Sequence, residues 1–279
     1  MKNAGKMTLI AVLAASSLAF SQIRQDYRFT VGPRASVSVT NTYGPISVKS
    51  GTGDQVLVTA ILHSNKVEID HTQNGDRVNV LSHLLPGATA ETGRVDYEVI
   101  VPPNVSITMH STSGPLHAER LHGDVTLEGA NAIVDVRDVS DAHVHVKTLN
   151  GPVTLTNIHD GHVEITSISG DVTLNAVSGP LVQVNSTSGR IRYNGDFGYG
   201  GEYYLSSHTG DIEASAPGDA SIDVVARSVR GHVENDFPLE PKHTTFAIKA
   251  GSAFAGTINK AASSVKLLSF SGKIHLKKR

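Results

Sequence analysis

The 279-residue chain is predicted to be all-β: a single-stranded, right-handed β-helix, or β-solenoid, of about 19–21 residues per coil with an N-terminal β cap. Three observations predict it. A short motif ending in glycine recurs, the residues after each glycine alternate apolar and polar, and no segment after Ser21 sustains a helical period. A β-propeller would need blades of about 40 residues with four strands each, and a sandwich does not explain so constant a period.

Composition admits this fold and narrows the function. The chain is 39% hydrophobic and 18% charged, with 26 Gly, 11 Pro, no Cys and no Trp. That is enough apolar residue to bury a core, and it is neither a disordered nor a collagen-like composition. A net charge of −2, with Lys277, Lys278 and Arg279 as the one basic run, speaks against a nucleic-acid partner. Without Cys there is no disulfide, no thiolate metal site and no Cys nucleophile.

Residues 1–21 read as a signal peptide. Lys2 and Lys6 precede a weakly polar run, Met7 to Phe20, too short to span a bilayer, and Ala19-Phe20-Ser21 places small residues at a cleavage site. Export is therefore expected, to the periplasm, the outer surface or the medium, with no transmembrane segment in the mature chain. Residues 22–105 are expected to form the cap and first irregular coils. Tyr27 to Val31, Ser36 to Thr40, Ile46 to Lys49 and Val56 to Ile61 alternate, and Tyr43-Gly44-Pro45-Ile46 already has the form of the later corners. Asn74-Gly75 marks a hairpin between Lys66 to Asp70 and Arg77 to Leu81. Leu84 to Gly93 reads as a loop, and Val95 to Val101 as a strand ended by Pro102-Pro103.

Residues 106–279 carry the repeat. Its corners read Ser-Thr-Ser-Gly114, Thr-Leu-Asn-Gly151, Ser-Ile-Ser-Gly170, Ser-Thr-Ser-Gly189, Ser-His-Thr-Gly210, Ser-Val-Arg-Gly231 and Ser-Phe-Ser-Gly272, with successive glycines 37, 19, 19, 21, 21 and 41 apart. The long intervals are near-doubles, so skipped corners are expected close to Ala132 and Gly251. A second series, Gly123, Ala142, Gly161 and Gly179, runs half a period away, giving two strands per coil. Val125 and Leu127, Val144 and Val146, and Val153 and Leu155 should point inward, with Thr126, His145 and Thr154 outward. Ile158, Ile168 and Val177 are expected to fill an inward-facing corner. Phe270, Ile274 and Leu276 suggest an exposed edge on the terminal coil.

Taken in order, Phe29-Thr-Val-Gly-Pro, Val37-Ser-Val-Thr-Asn, Gly44-Pro-Ile-Ser-Val, Val95-Asp-Tyr-Glu-Val-Ile-Val-Pro-Pro and the Ser-Thr-Ser-Gly114 series resemble the bacterial putative adhesin domain family over residues 28–279. The resemblance implies a β-helical protein of the cell envelope and brings no functional residues with it. The chain departs from the pattern around Glu128 to Ala142, where the corner glycine is replaced, and around Phe197 to Tyr204.

Three groups of residues are candidate sites. At the coil period of the repeat, His143, His145, His162 and Glu164 fall on one outward patch with the donors a metal ion such as zinc takes; the alternative is a solvated ladder that titrates near neutral pH. Arg190, Arg192, Tyr193, Phe197, Tyr199, Tyr203 and Tyr204 crowd a Gly-rich segment whose rings either stack on a sugar or peptide or, as at Tyr193 and Tyr204, fill a wider coil. Asp171, Asp211 and Glu213 lie near corners, where a glycoside-cleaving enzyme would place its acids. No hydrolase, metalloprotease, nucleotide or calcium-repeat motif occurs, and no cofactor is implied. The expected function is a non-catalytic adhesin or scaffold that meets envelope polysaccharide or protein through exposed strand ladders and the Tyr/Gly-rich loop. The alternative is a polysaccharide lyase or hydrolase on the same fold.

Overall fold

Period-two alternation makes strands, and stacking them at a constant interval pairs their backbones. The computed structural model describes residues 22–241 and 251–279, and no helix occurs among the described residues. The expected signal peptide, residues 1–21, lies outside them.

β1 (Ile23–Thr30) leads to β2 (Ser36–Tyr43) and β3 (Ile46–Ser50), which enclose the Gly44 corner, and then to β4 (Gln55–Leu62), β5 (Val67–Asn74), β6 (Arg77–Leu84) and β7 (Val95–Val101). Regular coils follow as strand pairs: β8 (Ser106–Ser113) with β9 (Leu116–Glu119), β10 (Val125–Asn131) with β11 (Val134–Ser140), and β12 (His143–Asn150) with β13 (Val153–His159). β14 (His162–Ser167) with β15 (Val172–Val177), β16 (Leu181–Ser186) with β17 (Ile191–Asn194), and β18 (Glu202–Ser207) with β19 (Ile212–Ala216) continue the series. The chain then adds β20 (Ile222–Ser228), β21 (Val233–Asn235), β22 (Glu240–Pro241), β23 (Ala253–Ile258), β24 (Ser263–Ser269) and β25 (Ile274–Lys278).

These strands form two sheets, one of 13 strands, here sheet I, containing β2, β8 and the even-numbered strands of the regular coils, and one of 12 strands, sheet II, containing β3, β9 and their odd-numbered partners. Each coil therefore contributes one parallel strand to each sheet. Val125, Val144, Val163, Val182 and Tyr203 lie side by side across sheet I, and their sequence numbers follow the period of the repeat. Ile46, Leu116, Val134, Val153 and Val172 form the matching inward column of sheet II, all fully buried. The Asn74-Gly75 hairpin forms between β5 and β6 as expected, with Gly75 at φ 59°.

The recurring motif builds the corner where sheet I passes into sheet II. Its glycines stack in one column, and a Cβ on Gly170 would strike the carbonyl oxygen of Gly151; Gly189, Gly210 and Gly272 repeat the collision with the glycine beneath. The demand at these four glycines is backbone approaching backbone, which a residue without a side chain meets. The first residue of the motif supplies a buried polar group to the same corner. Ser207, Ser228 and Ser269 Oγ accept from the N–H of Gly210, Gly231 and Gly272 at 2.9, 3.0 and 2.9 Å. Ser167 and Ser186 donate to the carbonyls of Gly170 and Gly189 at 2.9 and 3.1 Å. These hydroxyls satisfy groups that water cannot reach.

The skipped corner expected near Ala132 is there, and its neighbourhood explains how an alanine fits. In register with Ser111 and Thr148, β10 has Gly129 where those strands have a polar side chain. A Cβ on Gly129 would lie 2.5 Å from the Ala132 Cβ, so the glycine has in effect moved upstream to make room for the methyl. The opposite corner uses left-handed residues of another kind: Asp138, Asp141, Asn157 and Asp160 have φ of 54, 56, 56 and 55°. Asn and Asp tolerate this region better than most side chains.

The long interval between Gly231 and Gly272 has a different origin from the one expected. Gly251 fills no skipped corner; Gly272 stacks directly on Gly210, and Gly231 on Gly272. The last coil, β24 with β25, is inserted between β18/β19 and β20/β21. The other end is built the same way, with β2/β3 inserted between β6/β7 and β8/β9. Both terminal coils are thus paired on two sides. Antiparallel strands close the stack beyond them: β4 and then β1 on β7, β5 on β6, and β23 and then β22 on β20. The sheets therefore end on β1 and β21 in sheet II and on β5 and β22 in sheet I, so that three of the four edge strands run antiparallel to or outside the parallel coils. Insertion also overturns the expected exposed edge, since Ile274 and Leu276 are fully buried. Ile168 differs from expectation too: Ser167 takes the inward position and leaves Ile168 46% exposed, while Ile158 and Val177 are buried.

Candidate functional site

In-register parallel stacking converts each outward sequence position into a row of side chains along the solenoid axis. The four residues of the expected imidazole patch share such rows on sheet I. His143 lies beside His162 with ring centroids 4.7 Å apart, and the His143 N–H donates to Asp124 Oδ1 at 3.0 Å. In the next row His145 Nδ1 is 3.6 Å from Glu164 Oε2. Imidazole meets imidazole in one row and carboxylate in the other, and among the described residues no three His, Asp or Glu side chains converge as a metal-binding group.

The Tyr/Gly-rich segment is divided between interior and surface. Tyr193, Phe197 and Tyr203 are buried. Tyr193 stacks on Phe197 at 4.4 Å, and Tyr203 meets both edge-on at 5.6 and 5.1 Å. Tyr193 has Leu174 on one side in the sheet and the small Ala214 on the other, which makes space for its ring. Its hydroxyl donates to the Val177 carbonyl at 3.1 Å and accepts from the Phe197 N–H at 2.9 Å. Burial pushes the Tyr203 phenol up to about 12 and raises that of Tyr193 as well. A ligand-stacking role for these three rings is therefore corrected: they plug the wider coil. Tyr199 is 92% exposed at the loop tip. Tyr204 faces outward on sheet I between Gln183 and Lys266, whereas Arg192 lies on β17 of sheet II and Arg190 just precedes that strand. The structure does not bring the seven residues together.

The acidic candidates are engaged in the ladder of sheet II. Asp171 accepts from the Arg190 N–H at 2.9 Å, and Asp211 from the Lys273 N–H at 2.8 Å. Arg192 lies 3.7 Å from Asp171, and Glu213 is in register with Arg192 and His275. Further along, a hydrogen bond from Lys273 holds the Glu234 carboxyl below its usual range, and one from His275 does so for Asp236. These carboxylates join neighbouring coils.

The sequence reading missed a groove of about 300 Å³ on sheet I. It crosses β2, β8, β10 and β12 beside the corner. One wall is the row Thr40, His110, Glu128 and Lys147, and the other is Thr42, Thr112, Ala130 and Leu149. The hollow coincides with the displaced corner glycine, where Gly129 and Ala130 offer the least side-chain volume. His110 Nδ1 lies 3.2 Å from Glu128 Oε2. Lys147 is exposed and, among the described residues, has no ion-pair partner. The available signal was the replaced glycine near Ala132 read together with Gly129.

The fold and these surfaces define a two-sheet β-solenoid that presents rows of polar side chains. Within that class, the sequence pattern of the Toastrack DUF4097 family matches residues 35–277, and the chain belongs to that family. Among solved structures, it is similar to a "putative adhesin" from Bacteroides fragilis at 13% identity, covering 93% of this chain and 99% of that chain, with a TM-score of 0.46. A "putative adhesin" from Parabacteroides distasonis is 12% identical, with 92% and 98% covered and a TM-score of 0.46. A "putative cell adhesion protein" from Clostridium sporogenes is 13% identical, with 92% and 100% covered and a TM-score of 0.30. No curated protein matches the chain. No helix of the described residues is long and apolar enough to cross a membrane.

Proposed function

We propose that this is an exported, non-catalytic envelope protein that acts as an adhesive or scaffold surface. The observation that carries the reading is the pair of long sheets whose outward rows are mainly polar and stacked in register. Such a surface offers many repeated weak contacts to a polymer, and repetition raises avidity without any single deep pocket. Engagement of Asp171 and Asp211 as acceptors for backbone N–H groups supports the non-catalytic part, because those oxygens already serve the ladder. The test is a binding screen of the purified protein on arrayed polysaccharides and envelope proteins, with reducing ends measured in parallel. Capture without new reducing ends is expected. New reducing ends would overturn the non-catalytic reading, and retention of the protein in the cytoplasm on cell fractionation would overturn export.

A further inference from the structure

We propose that the free edge of β1 pairs antiparallel with β1 of a second copy, joining the two as a closed dimer about a two-fold axis at Tyr27. The inference goes beyond the adhesive reading and does not rest on it. Of the four strands at the sheet ends, three are poor templates for a further strand. β21 runs three residues and β22 two, one of them Pro241, which has no N–H to donate. β5 turns Glu68 and Asp70 outward with no outward cation on the same strand, so a second β5 brings those acids no opposite charge. β1 is different: it has eight residues and neither Pro nor Gly. With β4 and β1 both beyond β7, and only β5 beyond β6, it is also the outermost strand at its end of the molecule. One such edge per chain yields an isologous pair that closes at two copies.

The backbone of β1 fixes which residues face the open side. The Val31 N–H donates to the Asp54 carbonyl at 3.0 Å, one step beyond Thr30 opposite Gln55. Hydrogen-bonded pairs alternate along an antiparallel ladder, so Phe29, Tyr27 and Gln25 bond to β4, and the N–H and C=O groups of Arg24, Asp26, Arg28 and Thr30 point away from it. The side chains of those four residues are exposed, and their order selects the register. With the axis at Asp26, Asp26 meets its own copy and Arg24 meets Arg28; with the axis at Arg28, Arg28 meets itself. With the axis at Tyr27, each Asp26 meets Arg28 of the second copy and each Arg24 meets Thr30, while Tyr27 meets Tyr27 as an aromatic pair on the half-buried face. An axis at Gln25 also sets Arg24 against Asp26, but it overlaps only Ile23 to Tyr27 instead of Arg24 to Thr30. Arg28 has no ion-pair partner among the described residues, and the contact supplies one. The dimer runs two 12-stranded sheets together, with both outward faces on the same side.

Sedimentation equilibrium of the purified protein over a wide range of concentration tests this, and a monomer–dimer equilibrium without larger species is expected. Asp26→Arg and Arg28→Asp each turn both symmetry-related attractions into repulsions and should weaken dimerisation about tenfold or more; the double variant restores opposite charges and should recover most of the loss. Arg28→Pro removes an edge-facing N–H while sparing every bond to β4, and should abolish the dimer. Because the chain has no Cys, Tyr27→Cys supplies one thiol per copy, placed opposite itself within disulfide reach, whereas Gln25→Cys lies opposite Phe29. Under mild oxidation Tyr27→Cys should form a covalent dimer about tenfold faster than Gln25→Cys. Circular dichroism and urea midpoints establish that each variant is folded. A monomer throughout, whether β1 is then covered by residues 1–21 or left bare, would overturn the inference, as would a dimer that Arg28→Pro leaves intact. Equal cross-linking of the two Cys variants, or a double variant no better than the single ones, would overturn the register, and larger oligomers would overturn the closed pair. Capture of a monomeric protein on the polysaccharide array would leave the adhesive reading standing without this interface.

Discussion

Gly129→Ser should destabilise the solenoid, and adding Ala132→Gly should restore it. The magnitude follows from one distance. A Cβ at position 129 would lie 2.5 Å from the Ala132 Cβ, against a comfortable carbon–carbon separation of about 3.5–4.0 Å. Either the methyl or the β10 backbone must move by about 1 Å, and overpacking of this kind costs about 1–3 kcal/mol. Ala132→Gly alone loses a buried methyl and frees the backbone, at about 1 kcal/mol. If the two changes were independent, their sum would be about 2–4 kcal/mol. Together, however, they recreate Ser-x-x-Gly. The introduced serine Oγ then takes the place held by Ser207 and Ser228, which accept from the corner N–H at 2.9 and 3.0 Å. Each such bond contributes about 1 kcal/mol. The double variant should fall within about 1 kcal/mol of the parent, an interaction of about 2 kcal/mol, read from urea unfolding of the four proteins at a common m-value. Additivity within about 0.5 kcal/mol would refute the displaced-glycine account of this corner.

Other expectations follow from the same packing. Gly170→Ala drives a methyl into the Gly151 carbonyl and should cost about 3 kcal/mol or more, whereas Gly200→Ala, at φ 76° with open space around it, should cost about 1–2 kcal/mol; equal effects in urea would contradict the stacked-corner reading. Tyr193→Phe removes the donor to Val177 and leaves the Phe197 N–H unpaired, for a loss of about 1–3 kcal/mol, while Tyr199→Ala should change stability by no more than about 0.5 kcal/mol. A thermal-shift ranking in the reverse order would show the aromatic assignment to be wrong. At Asp96, burial resists ionisation, but hydrogen bonds from Arg94 at 2.7 Å and His63 at 3.2 Å prevail and hold the carboxyl below its ordinary 3.8. A depressed folded-state value means that Asp96 contributes its full stability above 3.8 and loses it as pH falls through the lower folded value. Asp96→Asn should therefore lower the urea midpoint at neutral pH and make progressively less difference on acidification; a deficit independent of pH would count against the ion-pair account.

The sequence by itself determined the strands, the coil period and the identity of the corner, because each follows from local chemistry repeated at a fixed interval. Alternation sets which face of a strand is buried, and the glycine column follows from carbonyls stacked too closely for a Cβ. Even the Ala132 corner was legible, since the spacing from Gly114 to Gly151 remained a near-double of the period. Tertiary structure alone decided the order of the coils. Backbone hydrogen bonds in a sheet carry no side-chain address, so nothing in Ser-Phe-Ser-Gly272 says that it stacks between Gly210 and Gly231 and not beyond Gly231. Pairing the terminal coils on both sides and closing the stack with antiparallel strands is a property of the whole assembly. The aromatic segment posed a similar difficulty. Tyr203 and Tyr204 are chemically alike neighbours, and only the register with Val182 and Val265 shows which ring enters the core. The groove depended on both levels: the sequence displaced one glycine, but four coils had to align before that missing side-chain volume became a groove lined by Lys147 and the threonines.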